Sequence, residues 1–257
     1  MQILLPPSEG KAHPARGAAL DLASLAFPEL TAAREAALDA LITLSAGDED
    51  TAVATLGLST GQRDEVRRNA LLRTAPTTTA AKLYTGVLYD ALDLATLPPA
   101  AKRRANAQIL IFSGLFGVSR LGDRLPAYRC GMDVTLSPLG AVAGHWRRAL
   151  PATMAGLGGP ILDLRSSSYA AAWRPAGGRI NDLATVRVLH ERVVGGETKR
   201  SVVSHFNKAT KGRLVRDLLL AGAAPRSVRA LTAALRDLKY TVEEPSPGAL
   251  DVVVRDL

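Results

Sequence analysis

Chemistry in this chain gathers where its apolar runs stop. Gln2–Leu5 gives way to Ser8-Glu9-Gly10-Lys11, and Ile109–Phe112 gives way to Ser113-Gly114. Ile161–Leu164 ends in Arg165-Ser166, and a later β-type run ends near Ser204 and Lys208. Hydroxyls, glycines and cations at such endings are the groups that hold phosphate: amides and hydroxyls donate to its oxygens, while Lys and Arg neutralise its charge. A sheet that ordered these endings on one side would build a single cationic cleft; otherwise they are separate solvated turns. Glu9 and Asp123 are the carboxylates of such a cleft and its candidate general bases. Tyr84, Tyr128, Trp146 and Tyr169 offer either faces for stacking on bases or ordinary core packing.

Other chemistries lack their residues. Cys130 is the single cysteine, which excludes an internal disulfide or a cysteine-based zinc cluster. His13, His145, His190 and His205 have no close ligand spacing, so no metal or other cofactor is expected. Gly10-Lys11 resembles the end of a P-loop, but the full glycine spacing is missing and Ala12 stands where the hydroxyl residue would be. There is no H-E-x-x-H pair. Arg129 would favour a reactive thiolate at Cys130, whereas the alternating apolar segment around it favours a buried, inert thiol.

Periodicity supplies the elements that must position these residues. Gln2–Leu5, Ile109–Phe112 and Ile161–Leu164 read as buried core strands, and Tyr128–Leu136 alternates as a further strand. Pro28–Ser45 is an amphipathic helix, Thr51–Thr55 a shorter one, and Ser59 or Thr60 caps a helix running to about Arg73. Thr185–Val194 and Lys199–His205, around Gly195-Gly196, read as a hairpin. Helices follow over Asn207–Ala221 and Pro225–Leu238, then short strands over Lys239–Val242 and Leu250–Val254. The expected fold is mixed α/β (α+β): one domain over 1–257, a central mixed sheet surrounded by helices, and a helix-hairpin-helix-like subregion at about 40–73. In that motif hairpin amides grip a DNA phosphate; the usual second hairpin glycine is absent here, and a plain helical hairpin covering the sheet fits the same residues.

Several of these segments also carry a family resemblance. Ser113-Gly114-Leu115-Phe116-Gly117-Val118-Ser119-Arg120, the following Pro126-Ala127-Tyr128-Arg129 and the later His145-Trp146 resemble the central motif of the YaaA-type peroxide-stress protein family. Ile3–Lys11, Leu83-Tyr84-Thr85-Gly86, Asp163-Leu164-Arg165-Ser166 with Tyr169, and Ser204–Gly212 resemble its other segments, in the same order. The resemblance implies a family-specific fold with a cationic cleft, affinity for duplex or branched DNA, and protection of the cell against peroxide and free iron.

Charge agrees with a polyanionic partner. Lys and Arg number 32 against 24 Asp and Glu, a formal net charge of +8, and the sequence pI is near 10.0. Hydrophobic residues make up 47% and charged residues 22%, so disordered and fibrous classes are excluded. No apolar run reaches membrane-spanning length and no signal segment opens the chain, so the cytoplasm is the expected compartment. The candidate phosphate- or nucleic-acid-binding set is Ser8, Lys11, Lys82, Tyr84, Ser113, Arg120, Arg124, Arg129, Ser166, Lys208, Lys211 and Arg213. DNA is the expected partner. The alternative is an enzyme acting on a nucleotide, nucleoside or flipped base in the same cleft.

Overall fold

A computed structural model describes residues 1–194 and 197–255. Its spine is β1 (Gln2–Leu5), whose Ile3, Leu4 and Leu5 are fully buried. Proline at 6 and 7 ends the strand, and the chain then crosses a helical layer: α1 (Thr31–Ala46), α2 (Glu49–Thr55) and α3 (Arg63–Ala70). The short strand β2 (Thr77–Thr79), α4 (Ala80–Leu83), α5 (Val87–Leu92) and α6 (Pro99–Gln108) complete the crossover to β3 (Ile109–Ser113). β3 pairs parallel to β1 and turns back into the antiparallel β4 (Gly117–Arg120). β5 (Arg124–Pro126) closes onto β2. A small β6 (Thr135–Leu136) and β7 (Gly140–Ala141) pair leads into α7 (Val142–Ala155).

β8 (Ile161–Asp163) then returns to the other side of β1, parallel to it. After the one-turn α8 (Ser167–Ala170) comes β9 (Leu183–Val194), parallel to β8 and hairpinned to β10 (Glu197–Ser201). The chain ends with α9 (Ser204–Ala221), α10 (Val228–Asp237), β11 (Thr241–Ser246) and β12 (Ala249–Arg255). The main sheet has the order β11-β12-β9-β8-β1-β3-β4 with β10 on β9, a mixed sheet clothed by helices. Central strands buried on both faces read as continuous apolar runs, which is why β1, β3 and β8 are plain in the sequence. No helix among the described residues is long and apolar enough to cross a membrane.

Three expectations shift. Tyr128–Leu136 alternates in burial residue by residue, yet a turn interrupts it at Met132-Asp133 and only Thr135–Leu136 joins a ladder. Its other backbone bonds go elsewhere: Arg129 N–H donates to Asn69 Oδ1 at 2.9 Å, and Val142 and Ala143 of α7 donate to the Val134 and Met132 carbonyls. Period two therefore reports which side chains are buried, not what the backbone pairs with. The second hairpin strand is Glu197–Ser201 in place of Lys199–His205, and α9 opens at Ser204, three residues before the expected Asn207. The β-branched Val202-Val203 made that junction look extended. The expected Gly195-Gly196 turn lies outside the described residues. α3 stops at Ala70, short of Arg73, while Ser59 and Gln62 form the capping box before it.

Helix α9 reaches the sheet because Gly212 has no side chain. A Cβ there would stand 2.2 Å from the Leu88 carbonyl oxygen and 3.0 Å from the Leu92 backbone nitrogen. Backbone cannot step aside as a flexible side chain can, so α5 and α9 would have to part. Gly212→Ala is expected to lower stability by about 2 kcal/mol, even after the gain in helix propensity. A thermal melt checks this: the drop should be several degrees, and an unchanged midpoint would mean that the contact is slack.

Candidate functional site

Parallel strands β1 and β8 are neighbours, but their onward connections leave in opposite directions, β1 toward β3 and β8 toward β9. A crevice opens at the carboxyl ends of such a pair, where the loops separate. One lip is Pro6–Lys11. It is laced to the segment after α4 by an isolated antiparallel bridge between Lys11 and Tyr84. The Ala12 amide donates to Leu83 O at 2.8 Å, and the Thr85 amide to Gly10 O at 3.2 Å. Gly86, at φ +95°, packs against the Ser8 hydroxyl. The other lip is Leu164–Tyr169, with Lys211 of α9 donating to the Leu164 carbonyl at 3.1 Å.

Lys11 occupies the first lip. Its Nζ donates to Ser8 O at 2.8 Å and sits 4.4 Å from the Tyr128 ring centre and 5.8 Å from that of Tyr84. The two phenol oxygens are 2.9 Å apart. Burial pushes the Lys11 ammonium down to about 8, with Arg129 adding to the effect against weaker opposition from Glu65, Cys130 and Glu9. Tyr84 is pushed up to about 12, and Tyr89, Tyr128 and Tyr169 are also raised, each chiefly by burial. These phenols therefore stay protonated and act as donors. Tyr89 spends its proton on Pro6 O at 2.7 Å, tying α5 to the end of β1.

Arg129 stands beside Lys11. It donates to the Glu9 carbonyl at 3.3 Å and to the Glu9 carboxylate at 3.2 Å. The Glu9 side chain is 85% exposed, so this ion pair is weakly held and exchangeable. Arg129 itself is fixed through its backbone. The buried Asn69 of α3 donates to Arg129 O at 2.8 Å and accepts from its amide. Cys130 is buried and its thiol is pushed up to about 12, chiefly by burial, so the inert reading of this cysteine holds. An open depression of about 330 Å³ lies over the group, lined by Glu9, Lys11, His13, Glu65, Tyr128 and Arg129 among others.

The crevice thus brings together Ser8, Glu9, Lys11, Tyr84 and Arg129 on one side, and Lys211 and Ser166 on the other. Ser113 ends β3 fully buried, its hydroxyl accepting from the Phe116 amide. Ser166 is exposed, 3.1 Å from the Ser168 hydroxyl. Lys82 and Lys208 are exposed on α4 and on the first turns of α9.

The structure does not bring the rest of the expected set here. Arg120 pairs with Leu110, at the opposite end of β3, and donates to the Ala107 carbonyl at 3.1 Å. Asp123 lies in the same distant turn, where its carboxylate accepts from the Ala26 and Arg120 amides. The expectation of Asp123 as a base in the cleft is corrected: it is a buried loop clasp. Arg124 donates to Thr77 O on the β2–β5 ribbon. Arg213 is exposed on α9, near enough to Tyr240, beyond α10, for its charge to lower that phenol's proton affinity. Trp146 is fully buried and donates to Gly114 O, so its ring packs in the core.

Sequence reading missed Asn69, Tyr89 and Arg34. Arg34 is fully buried on α1, with its guanidinium donating to the Phe116 and Val118 carbonyls. Only Asn69 left a signal: an amide residue on the inward face of a short helix otherwise full of charge.

Fold and site together define a mixed-sheet α/β protein with a cationic crevice at a topological switch point. A family model described as peroxide stress protein YaaA matches residues 1–245, and the chain belongs to that family. It is 53% identical over 265 aligned positions to a UPF0246 protein of Streptomyces coelicolor, covering all of both chains. A UPF0246 protein of Corynebacterium efficiens is 41% identical over 247 positions, 95% of each chain. An uncharacterized protein of Campylobacter jejuni is 31% identical over 147 positions, 56% of this chain and 54% of its own.

The Asn69 clamp is open to direct measurement. Asn69→Leu strands both the amide and the carbonyl of Arg129 and is expected to cost about 2–4 kcal/mol. Urea denaturation reads the loss; a change under 1 kcal/mol would mean that water replaces the clamp and that Arg129 is not held by it.

Proposed function

We propose that this protein acts in defence against peroxide by binding DNA, gripping its phosphates at the crevice between β1 and β8. One observation carries the reading: Lys11, Arg129 and Lys211, from three separate elements, stand on the lips of that crevice, in a chain of a peroxide-stress family. Exposed Lys208, one turn before Lys211, continues the cationic surface outward. Glu9 occupies Arg129 as an internal anion, and because its side chain is 85% exposed, a phosphate displaces it at small cost. Such contacts are indifferent to sequence and sensitive to salt.

The α2–α3 hairpin supports a narrower part in this reading. Its turn carries Gly57 at φ +61°, and both Gly57 and Gly61 face open space, which leaves room for a phosphate at the backbone. Its arginines are already engaged: Arg63 with Glu49 and Asp50, Arg67 with Glu49 and Asp64, Arg68 with Glu65. Any grip there comes from amides, as in a helix-hairpin-helix, and not from guanidinium groups.

Fluorescence anisotropy with a labelled duplex tests the proposal. Affinity should fall steeply between about 50 and 200 mM salt. Lys208→Gln with Lys211→Gln should weaken binding and flatten the salt dependence by about two units, while Arg226→Gln with Arg229→Gln changes little. Glu9→Gln should tighten binding. No binding at low salt, or equal losses from both pairs, would overturn the reading.

A further inference from the structure

We propose that Lys11 is a nucleophilic amine whose substrate is the open-chain aldehyde of a phosphorylated pentose, which it captures as an imine in the depression beside Arg129. An amine serves this role when it is unprotonated, accessible and held near a binding site for the rest of the substrate. Lys11 lines the open depression of about 330 Å³. That volume admits a single sugar phosphate, or one sugar drawn out of a strand, and not a duplex. Arg129 lines the same depression with only an exposed carboxylate to displace, so the phosphate and the carbonyl have separate partners within one small site.

The surroundings of Lys11 favour the free amine. Its Nζ lies over the Tyr128 and Tyr84 rings and donates to the Ser8 carbonyl, contacts that suit an ammonium, but burial and the neighbouring Arg129 outweigh them. No carboxylate forms an ion pair with it among the described residues: Glu9 turns to Arg129 and Glu65 to Arg68. The charged or titratable groups around it are Glu9 of its own loop, Glu65 of α3, Arg129 and Cys130, Tyr84 and Tyr128, with His13 across the depression. With its proton affinity lowered to about 8, roughly a tenth of Lys11 is neutral at pH 7, against a few parts in ten thousand for an ordinary lysine. A phosphate binder gains nothing from this, because a neutral amine attracts no anion.

The step balances without a further reagent. The amine lone pair attacks the aldehyde carbon, and the C=O π pair moves onto oxygen. The resulting carbinolamine loses that oxygen as water, taking two protons from nitrogen overall, and leaves a C=N bond to Lys11. Two sources present the same chemistry: a free pentose phosphate, and the ring-opened deoxyribose of a strand that has lost a base. The second source rests on the DNA-binding reading; the first does not.

Borohydride trapping on the full chain tests this with two probes, ribose 5-phosphate and an oligonucleotide carrying one abasic site. Reduction should leave a stable adduct that peptide mapping places on Lys11, with a pH midpoint near 8. Lys11→Arg, which keeps the charge but cannot form an imine, should trap at least 50-fold less. The mapping in the unaltered protein stands even if that variant folds poorly. No adduct with either probe, adducts spread over exposed lysines such as Lys102, or undiminished trapping in a folded Lys11→Arg would overturn the inference. Anisotropy with the same oligonucleotide separates the two readings. Binding without trapping defeats only this one; trapping of ribose 5-phosphate without oligonucleotide binding defeats only the DNA reading.

Discussion

Removing the Lys11 ammonium from water is the constraint that the site turns on. A charge taken out of water, with a neighbouring guanidinium and no paired carboxylate, is costly to keep even over two aromatic rings. The fold holds it there because everything around it is fixed for other reasons. β1 is locked between β3 and β8, the bridge to Tyr84 sets the loop, and Asn69 holds the Arg129 backbone from α3. Tyr89 and Lys211 then tie α5 and α9 to the carboxyl ends of β1 and β8. Those two helices approach closely only because Gly212 lacks a side chain. The strained electrostatics of the crevice are thus sustained by packing some distance from it.

Surplus positive charge turns out to be two populations. Many arginines are structural, ending on carbonyls: Arg34 on Phe116 and Val118, Arg104 on Leu219, Arg216 on Leu92 and Asp93, Arg236 on Val242. Others are spent in ion pairs, such as Arg187 with Asp251 and Arg200 with Glu191 and Glu243. What remains is scattered: Lys208 is exposed near the switch point, but Arg103, Arg148, Arg226 and Arg229 are exposed on other elements. A net charge of +8 therefore overstates the surface offered to a polyanion, and position says more than the sum.

Strand ends proved more legible than the residues between them. β1, β3 and β8 were readable because strands buried on both faces leave unbroken apolar runs, and a parallel sheet delivers their carboxyl ends to one edge. The cap at Ser59 was readable, as one of two candidates with Thr60, because its chemistry is local. Tyr128–Leu136 misled because alternation records burial while its hydrogen bonds go to Asn69 and to α7. Asp123 and Arg120 misled because β4 runs antiparallel and carries the chain back to the far edge within a few residues. Arg213 misled because residues two apart on a helix point to nearly opposite faces, so it does not share the side of Lys211. Tyr89 and Arg34 gave little warning, since their roles depend on contacts distant in sequence.

The most direct measurement is the titration of the Lys11 side chain itself, followed by heteronuclear NMR of its Cε and Nζ signals in the folded protein. The account requires a midpoint near 8, because burial disfavours the ammonium. A midpoint near the ordinary 10.5 would contradict it, showing Lys11 to be a solvated cation and the crevice an unremarkable turn.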